Sequence, residues 1–445
     1  MNKELLDIAQ DTLALALKAG ATSAEAMVVE QLDSSITMRE RKVEELEQSE
    51  SRGVGLRVFA GQSSATIAGS VLGKDARKTL AERAVAMAKL APPDPFNGLA
   101  DASQLAGAGM DLDLVSQSFP TAAELRGLVE KAEAAGLAVK GISKSGAAGA
   151  SSSSSDIALA SSNGFAKAYR RTGFGLHATL IAGEGTAMVR DYWGTSACHF
   201  SDLEDPEFVG RMAAERTVRK VNPQKLKSQA VPVIFDRRVA SSLLGHLAGA
   251  INGAAIARGV SFLKDKLGQQ VFPPGITIVD DPHRLRGFAS KSFDGEGLPT
   301  QRRNFIDKGV LTSWALDLRS ARQLNLQSTG NAARGLSSQP SPSTTNLHME
   351  PGSPSPEQMI KSLSRGLLIN EFIGSSINGA TGDYSRGAAG FWIENGEIQY
   401  PVSEITVAGN LIEMFLHLTP ANDLEFRSST NAPSCLVEGM TLAGR

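Results

Sequence analysis

Leu243-Leu244-Gly245-His246-Leu247-Ala248-Gly249-Ala250 is the stretch on which the reading of this 445-residue chain turns. It follows the apolar run Val231 to Phe235 and leads toward Gly268-Gln269-Gln270. The pattern predicts a helix from about Arg237 to Ala257. On it Gly245, Gly249 and Gly253 stand four residues apart and share a face. A glycine inside a helix costs about 1 kcal/mol relative to alanine, so three on one face need a reason. A bare face lets another backbone come close, which points to tight helix packing. The remnant of a ligand pocket is the other reading. His246 is the group here that carries chemistry. No glutamate follows it and no second histidine stands at helical spacing, so neither a metal ligand nor a general base is supported.

Local signals on both sides of this helix place the other elements. Downstream, Asp307-Lys308-Gly309 and Asn395-Gly396 are hairpin turns. Ser355-Pro356-Glu357-Gln358 starts a capped helix that Gly366 stops. Upstream, Asp205-Pro206 opens a helix with aspartate as cap and proline at the first position, and Asn222-Pro223 closes it. Thr121-Ala122-Ala123-Glu124 is a capping box. Its helix should bury Leu125, Leu128 and Ala132 and stop at Gly136. Near the start, Leu6, Ala9, Leu13 and Ala16 recur at helical spacing, and Gly20 ends the run. Strands are expected at Ala26 to Val29 and Ser35 to Met38. A hairpin should bend at Gly61 between Arg57-Val58-Phe59 and Ala65-Thr66-Ile67. A second helix should bury Leu80, Ala84, Met87 and Ala91 and end at Pro92-Pro93. Ser151 to Ser155 is a low-complexity run and reads as a solvated loop. Ile157 to Asp191 alternates like antiparallel strands. Gly53-Val54-Gly55-Leu56 and Gly173-Phe174-Gly175-Leu176 echo one another, each before a hairpin. The echo suggests two related units.

Helices and hairpins mix without regular alternation, so the predicted class is α+β. An N-terminal α/β-hairpin domain is expected over 1–95 and a central α+β region over 96–225. A larger C-terminal α+β domain with an antiparallel sheet is expected over 226–445.

Composition narrows the function. Lys plus Arg total 45 against 47 Asp plus Glu, a net charge of -2, and aromatics are 5%. Neither a polyanion footprint nor a base-stacking platform follows, so no direct nucleic-acid partner is expected. Cys198 and Cys435 are too few for a disulfide framework and match no zinc cluster. Glu4, Asp7 and Asp11 break any signal-peptide core, and no apolar run of about 18 residues exists. A cytoplasmic protein with no membrane contact is the expectation. No Gly-x-Ser-x-Gly elbow, Walker motif or dinucleotide fingerprint is present. The six histidines, His177, His199, His246, His283, His348 and His417, pair with none of their number at metal spacing.

Four further segments belong together. They are Ser328-Thr329-Gly330-Asn331-Ala332-Ala333-Arg334, Thr345-Asn346-Leu347-His348-Met349-Glu350-Pro351-Gly352, Thr381-Gly382-Asp383-Tyr384-Ser385-Arg386 and Phe391-Trp392-Ile393-Glu394-Asn395-Gly396-Glu397-Ile398. With the 243–250 helix and Arg52-Gly53-Val54-Gly55-Leu56-Arg57-Val58-Phe59, their order and spacing resemble the TldD/PmbA family over most of the chain. In the TldD branch, two leucines precede His-Glu-x-x-x-His, whose histidines bind zinc. The matching positions here are Gly245, His246 and Ala250, so the chain resembles the PmbA/TldE branch, the subunit without the metal site. Cys435 lies where the TldD branch has its third ligand, in a context that matches poorly.

The resemblance implies a partner, a TldD-like metalloprotease subunit that carries the zinc, with no cofactor in this chain. It implies unfolded peptide substrates, including a microcin precursor and antitoxins in related systems. The isolated chain would be inactive, with a homodimer open to it. An older family name, modulator of DNA gyrase, invites a DNA-binding reading that the charge balance opposes. Asn331, Arg334, Asp383 and Arg386, polar groups among glycines, and Gly249 are the candidates for a substrate groove or subunit contact. A stand-alone peptide-binding or scaffold protein is the alternative. An autonomous non-metal hydrolase lacks its signatures.

Overall fold

The computed structural model describes residues 3–444. Its first half is one unit built twice. The first copy runs α1 (Lys3–Lys18), β1 (Ser23–Arg39), β2 (Lys42–Ala60), β3 (Ser63–Gly69), α2 (Lys74–Leu90). The second runs α3 (Ala122–Leu137), β4 (Ile142–Ser161), β5 (Ala166–Ala182), β6 (Val189–Ala197), α4 (Pro206–Val218). All six strands form one sheet in the order β3-β2-β1-β4-β5-β6. Every neighbouring pair is antiparallel. The first strands of the two copies meet in the middle, with Asp33 opposite Ser153. The echoed glycines occupy the middle strand of each copy, Gly53 and Gly55 in β2, Gly173 and Gly175 in β5.

The four helices cover one face of this sheet. Leu5, Ala9 and Leu13 of α1 pack on Val54, Leu56 and Val58, while Leu125, Val129 and Ala132 of α3 pack on Leu176 and Leu180. The caps read in the sequence are in place. Thr121 Oγ1 accepts from the Glu124 N–H and the Glu124 carboxylate accepts from the Thr121 N–H at 2.7 Å. Asp205 accepts from the Phe208 N–H at 3.0 Å. Three expectations change. Helix α2 buries Ala81, Ala84, Val85 and Ala88, so its inner face is rotated and Met87 faces solvent. Gly136 does not stop α3. It lies within the helix and faces Gly210 of α4, where a Cβ would stand 1.9 Å from the Ala132 carbonyl oxygen. Ser151 to Ser155 is no loop but the middle of β4, with Ser155 paired to Gln31 on one side and Arg171 on the other.

The C-terminal half is built on a ring of strands. Its members are β7 (Gln229–Phe235), β8 (Arg365–Ile377), β9 (Asp383–Glu394), β10 (Glu397–Asn410) and β11 (Cys435–Ala443). β8 runs parallel to β7. β9, β10 and β11 follow antiparallel, and β11 pairs back to β7 and closes the ring. The sheet is therefore mixed, not purely antiparallel. Helix α5 (Arg237–Ala250) lays Leu243, Leu244 and Leu247 into a core shared with Phe235, Leu367, Ile369 and Met440. The turn residues adopt the left-handed backbone their hairpins need, Lys308 and Gly309 at φ 48° and 85°, Asn395 and Gly396 at 52° and 78°. Ser355 caps the helix Pro356–Ser362, and Gly366 sits in β8 beyond it. The predicted long helix is two: α5 ends at Ala250, and Asn252 caps a short α6 (Gly253–Ala257) by accepting from the Ala254 and Ala255 N–H groups. The class is α+β. Among the described residues no helix is long and apolar enough to cross a membrane.

Candidate functional site

Helix α5 is held firmly at its start. The Asp236 carboxylate accepts from the Arg238 N–H at 2.9 Å, and the Arg237 N–H donates to Ser434 Oγ at 3.1 Å. Leu243, Leu244, Leu247 and Ala250 are buried, while Gly245 and Gly249 are exposed. A Cβ on either glycine would meet nothing within 4 Å among the described residues. Tight packing is thus corrected for these two: their face is open. It holds for Gly253, where a Cβ would stand 2.5 Å from Leu316 Cδ2 and 2.8 Å from the Ala315 oxygen.

His246 turns partly inward from the same helix. Its ring meets Tyr384 edge to face, with centroids 5.7 Å apart, and its Nε2 is buried without a hydrogen-bond partner among the described residues. Burial, then the nearby Arg386 charge, push the imidazole down to about 4. It is neutral at pH 7. Burial pushes the Tyr384 phenol well up. Cys435, fully buried in β11, lies 3.2 Å from the Pro433 oxygen and 3.9 Å from Met349 Sδ. Burial, then the Asp423 charge, hold its thiol far above the usual range, so it keeps its proton.

These residues do not fit the zinc of the related branch. A catalytic zinc takes three protein ligands, and Gly245 and Ala250 offer no donor atom. Among the described residues no three His, Cys, Asp or Glu side chains gather as a metal cluster.

The five candidate residues separate into two places. Arg386 lies on β9, near the His246 side of α5. Its Nε donates to the Gly374 oxygen at 3.2 Å, and its guanidinium sits 4.0 Å over the Phe372 ring. Asp383 opens the same strand and accepts from Thr381 Oγ1 at 2.6 Å and Asn410 Nδ2 at 3.2 Å. Both stand in a strand, not in a loop. Gly249 is on the open face of α5.

Asn331 and Arg334 lie apart from these; Asn331 is buried, and so is the side chain of Arg334. Asn331 Nδ2 donates to Asp280 and to the Ser343 oxygen. Asp280 in turn accepts from the Thr345 N–H, and Asp294 accepts from the Ala332 N–H. These bonds hold the Gly330–Arg334 segment from inside. Arg334 forms an ion pair with Glu25 of β1, which also pairs with Arg57 at 3.1 Å. It ties the C-terminal half to the first sheet.

One site escaped the sequence reading. A cleft of about 570 Å³ opens between β5 and β6 and the start of α5. His177, Tyr192, Trp193, Arg237, Arg238 and Arg427 line it. Arg238 lies 4.3 Å over the Tyr192 ring and Arg427 4.4 Å over Trp193. Two adjacent aromatics in a chain poor in them, and two adjacent arginines at a helix start, were its available signals.

Comparison with known proteins agrees with this architecture. Residues 24–88, 117–221 and 228–444 match the family descriptions PmbA/TldA metallopeptidase domain 1, central domain and C-terminal domain. The chain is 39% identical over 446 residues to Metalloprotease PmbA of Escherichia coli O157:H7, a match covering 100% of this chain and 97% of that protein. A crystal structure of a Bacteroides thetaiotaomicron protein, described as a candidate modulator of DNA gyrase, superposes with a TM-score of 0.92 at 28% identity, covering 100% of both chains. TldE from Thermococcus kodakarensis gives a TM-score of 0.83 at 20% identity over 98% of this chain and 99% of that one, which speaks to the fold alone. With most of its length matched, the chain belongs to the TldD/PmbA family of peptidases, in its PmbA/TldE branch.

Proposed function

We propose that this chain is the subunit without a metal site in a two-component metalloprotease that cleaves unfolded peptides. A TldD-like subunit would supply the zinc, its activated water and the general base. The observation that carries the reading is α5. The helix keeps its cap and its apolar seat, yet Gly245 and Ala250 carry no ligand atoms and His246 is an uncharged, half-buried ring. A full domain retained without donors is used for its surface or its shape. The open Gly245–Gly249 face and the cleft at the start of α5 are the surfaces this chain offers to a shared chamber. Enclosure would admit only extended chains, which suits microcin precursors and antitoxin polypeptides as substrates. Two free, buried cysteines suit the reducing cytoplasm.

The test mixes the purified chain with a TldD-like subunit. The expected outcome is a larger species by light scattering, cleavage of an unfolded peptide by the mixture alone, and zinc only in the partner. One tightly held zinc per chain here would sink the reading. So would a partner that cleaves equally well by itself, and a scaffold or peptide-binding role would then replace it.

A further inference from the structure

The two copies of the repeated unit differ at one edge. In each, the third strand pairs only with the second half of the middle strand: β3 with Val54–Ala60 of β2, β6 with Phe174–Ala182 of β5. The first half of each middle strand is left without a third-strand neighbour. In the second copy other segments cover it. The Thr172 N–H donates to the Leu114 oxygen at 2.9 Å, the Ser116 N–H donates to Thr172 Oγ1, and Phe293 packs on Tyr169. In the first copy, nothing among the described residues lies along Lys42–Arg52. Its backbone pairs with β1 on one side and faces open space on the other. The segment is exposed on both faces over nearly its whole length, and Leu46 is 62% exposed. Eleven residues of extended strand span about 35 Å. A bare edge of that length is a template for another chain unless something is meant to cover it.

Charge says what covers it. Val43 to Ser51 carries Glu44, Glu45, Glu47 and Glu50 and no basic residue. Two copies of this strand pairing antiparallel about Glu47 would set that carboxylate opposite its own copy, and like charges directly opposite destabilise a sheet; Glu44 and Glu50, also brought together, are already paired with Arg39 and Arg52. The edge therefore disfavours its own kind. Glu45 and Glu47 form no ion pair among the described residues.

We infer that the outer edge of β2, Lys42–Arg52, is a docking strand that pairs with an extended, lysine- or arginine-bearing segment of a different protein chain, the metal-bearing subunit. The partner's identity rests on the subunit reading above; the chemistry of the edge does not.

Site-resolved hydrogen exchange on the full-length chain tests this. Alone, the outward amides of 42–52 should exchange fast. With the metal-bearing subunit bound, they should slow by at least about tenfold. The double variant Glu45→Lys/Glu47→Lys should keep the fold, seen by unchanged circular dichroism, and weaken the complex by at least about tenfold at low salt, less at high salt. A complex that forms with 42–52 still exchanging fast overturns the docking strand and leaves the subunit reading intact. A synthetic peptide alternating lysine and valine, with a glutamate–valine peptide as control, separates the two failures. If no subunit complex forms but the lysine peptide alone protects 42–52, the subunit reading and the named partner fall while the basic-strand preference stands. If neither protects it, the docking strand falls. Protection of the isolated chain that grows with its concentration would make the occupant a second copy and overturn the assignment.

Discussion

Glycines on two helix surfaces of this protein do opposite things. At the α3–α4 crossing, Gly136 and Gly210 let two backbones meet, and a Cβ at 210 would stand 1.9 Å from the Ala132 oxygen. On α5, Gly245 and Gly249 face empty space. Both pairs carry the same backbone penalty, about 1 kcal/mol per glycine. In the first pair the penalty is offset within the chain by close packing. In the second no neighbour among the described residues offsets it, so the open face is left for something outside the chain to use. Spacing alone does not distinguish the two cases; surroundings do.

Substitution at the crossing should give the largest effect. Gly210→Ala forces two helices apart or strains them, and overpacking a tight contact costs about 3 kcal/mol. Thermal or urea unfolding should show a clear loss of stability. A near-neutral result would mean that the crossing is loose and that the contrast with α5 is false.

A middle-sized effect comes from His246, on the same helix as the open glycines but turned inward. Its folded-state value is held to about 4 by burial and Arg386, below the ordinary value near 6.5. Between those two values the unfolded chain binds more protons than the folded one, so stability rises with pH across the window. It is full above about 6.5 and falls progressively as the pH drops to about 4. With the ring partly exposed, the loss should be about 1–2 kcal/mol. The His246→Gln variant should show a flatter stability profile between pH 4 and 6.5. A histidine resonance titrating with an ordinary midpoint would show the ring to be solvated, and the two sides of α5 would no longer differ.

The smallest effect has the opposite sign. Gly245→Ala meets no neighbour, so it should stabilise the isolated chain by about 1 kcal/mol. If instead it destabilises, the face is not open in the free protein. If it stabilises the chain while weakening peptide cleavage by the assembled pair, the glycine is kept for a contact outside this chain.

What was legible in the sequence had local causes. The Thr121–Glu124 box, the Asp205-Pro206 start and the Ser355–Gln358 box work through side chains and amides a few residues apart. So do the turns at Lys308-Gly309 and Asn395-Gly396. Ser151 to Ser155 was misread because serine prefers turns locally, while two long neighbouring strands impose the pairing from more than a hundred residues away on one side. Lys42–Arg52 was invisible as a strand because neither face is buried and the apolar alternation is missing. The run from α5 into α6 was read as continuous because its break depends on Gly253 bonding to Ala315, a distant segment. That Gly245 and Ala250 carry no side-chain donor was legible because it is a matter of side-chain chemistry. The fates of Asn331 and Arg334 were not, since burial against Asp280 and Glu25 is set by how the two halves dock.

The ring of strands in the C-terminal half has a consequence for how the protein is made. β11 closes it by lying between β7 and β10. The paired sheet of the first half is complete once α4 has been synthesised. The ring is not complete until residues 435–443 have left the ribosome. At ordinary rates of synthesis that delay is on the order of ten seconds or more. Until then β7 and β10, the two strands that flank β11, each lack a neighbour, and the apolar side of α5 has no finished core to rest on. A newborn chain therefore carries a folded first half and a sticky, unfinished second half, the window in which a holdase chaperone would be needed most.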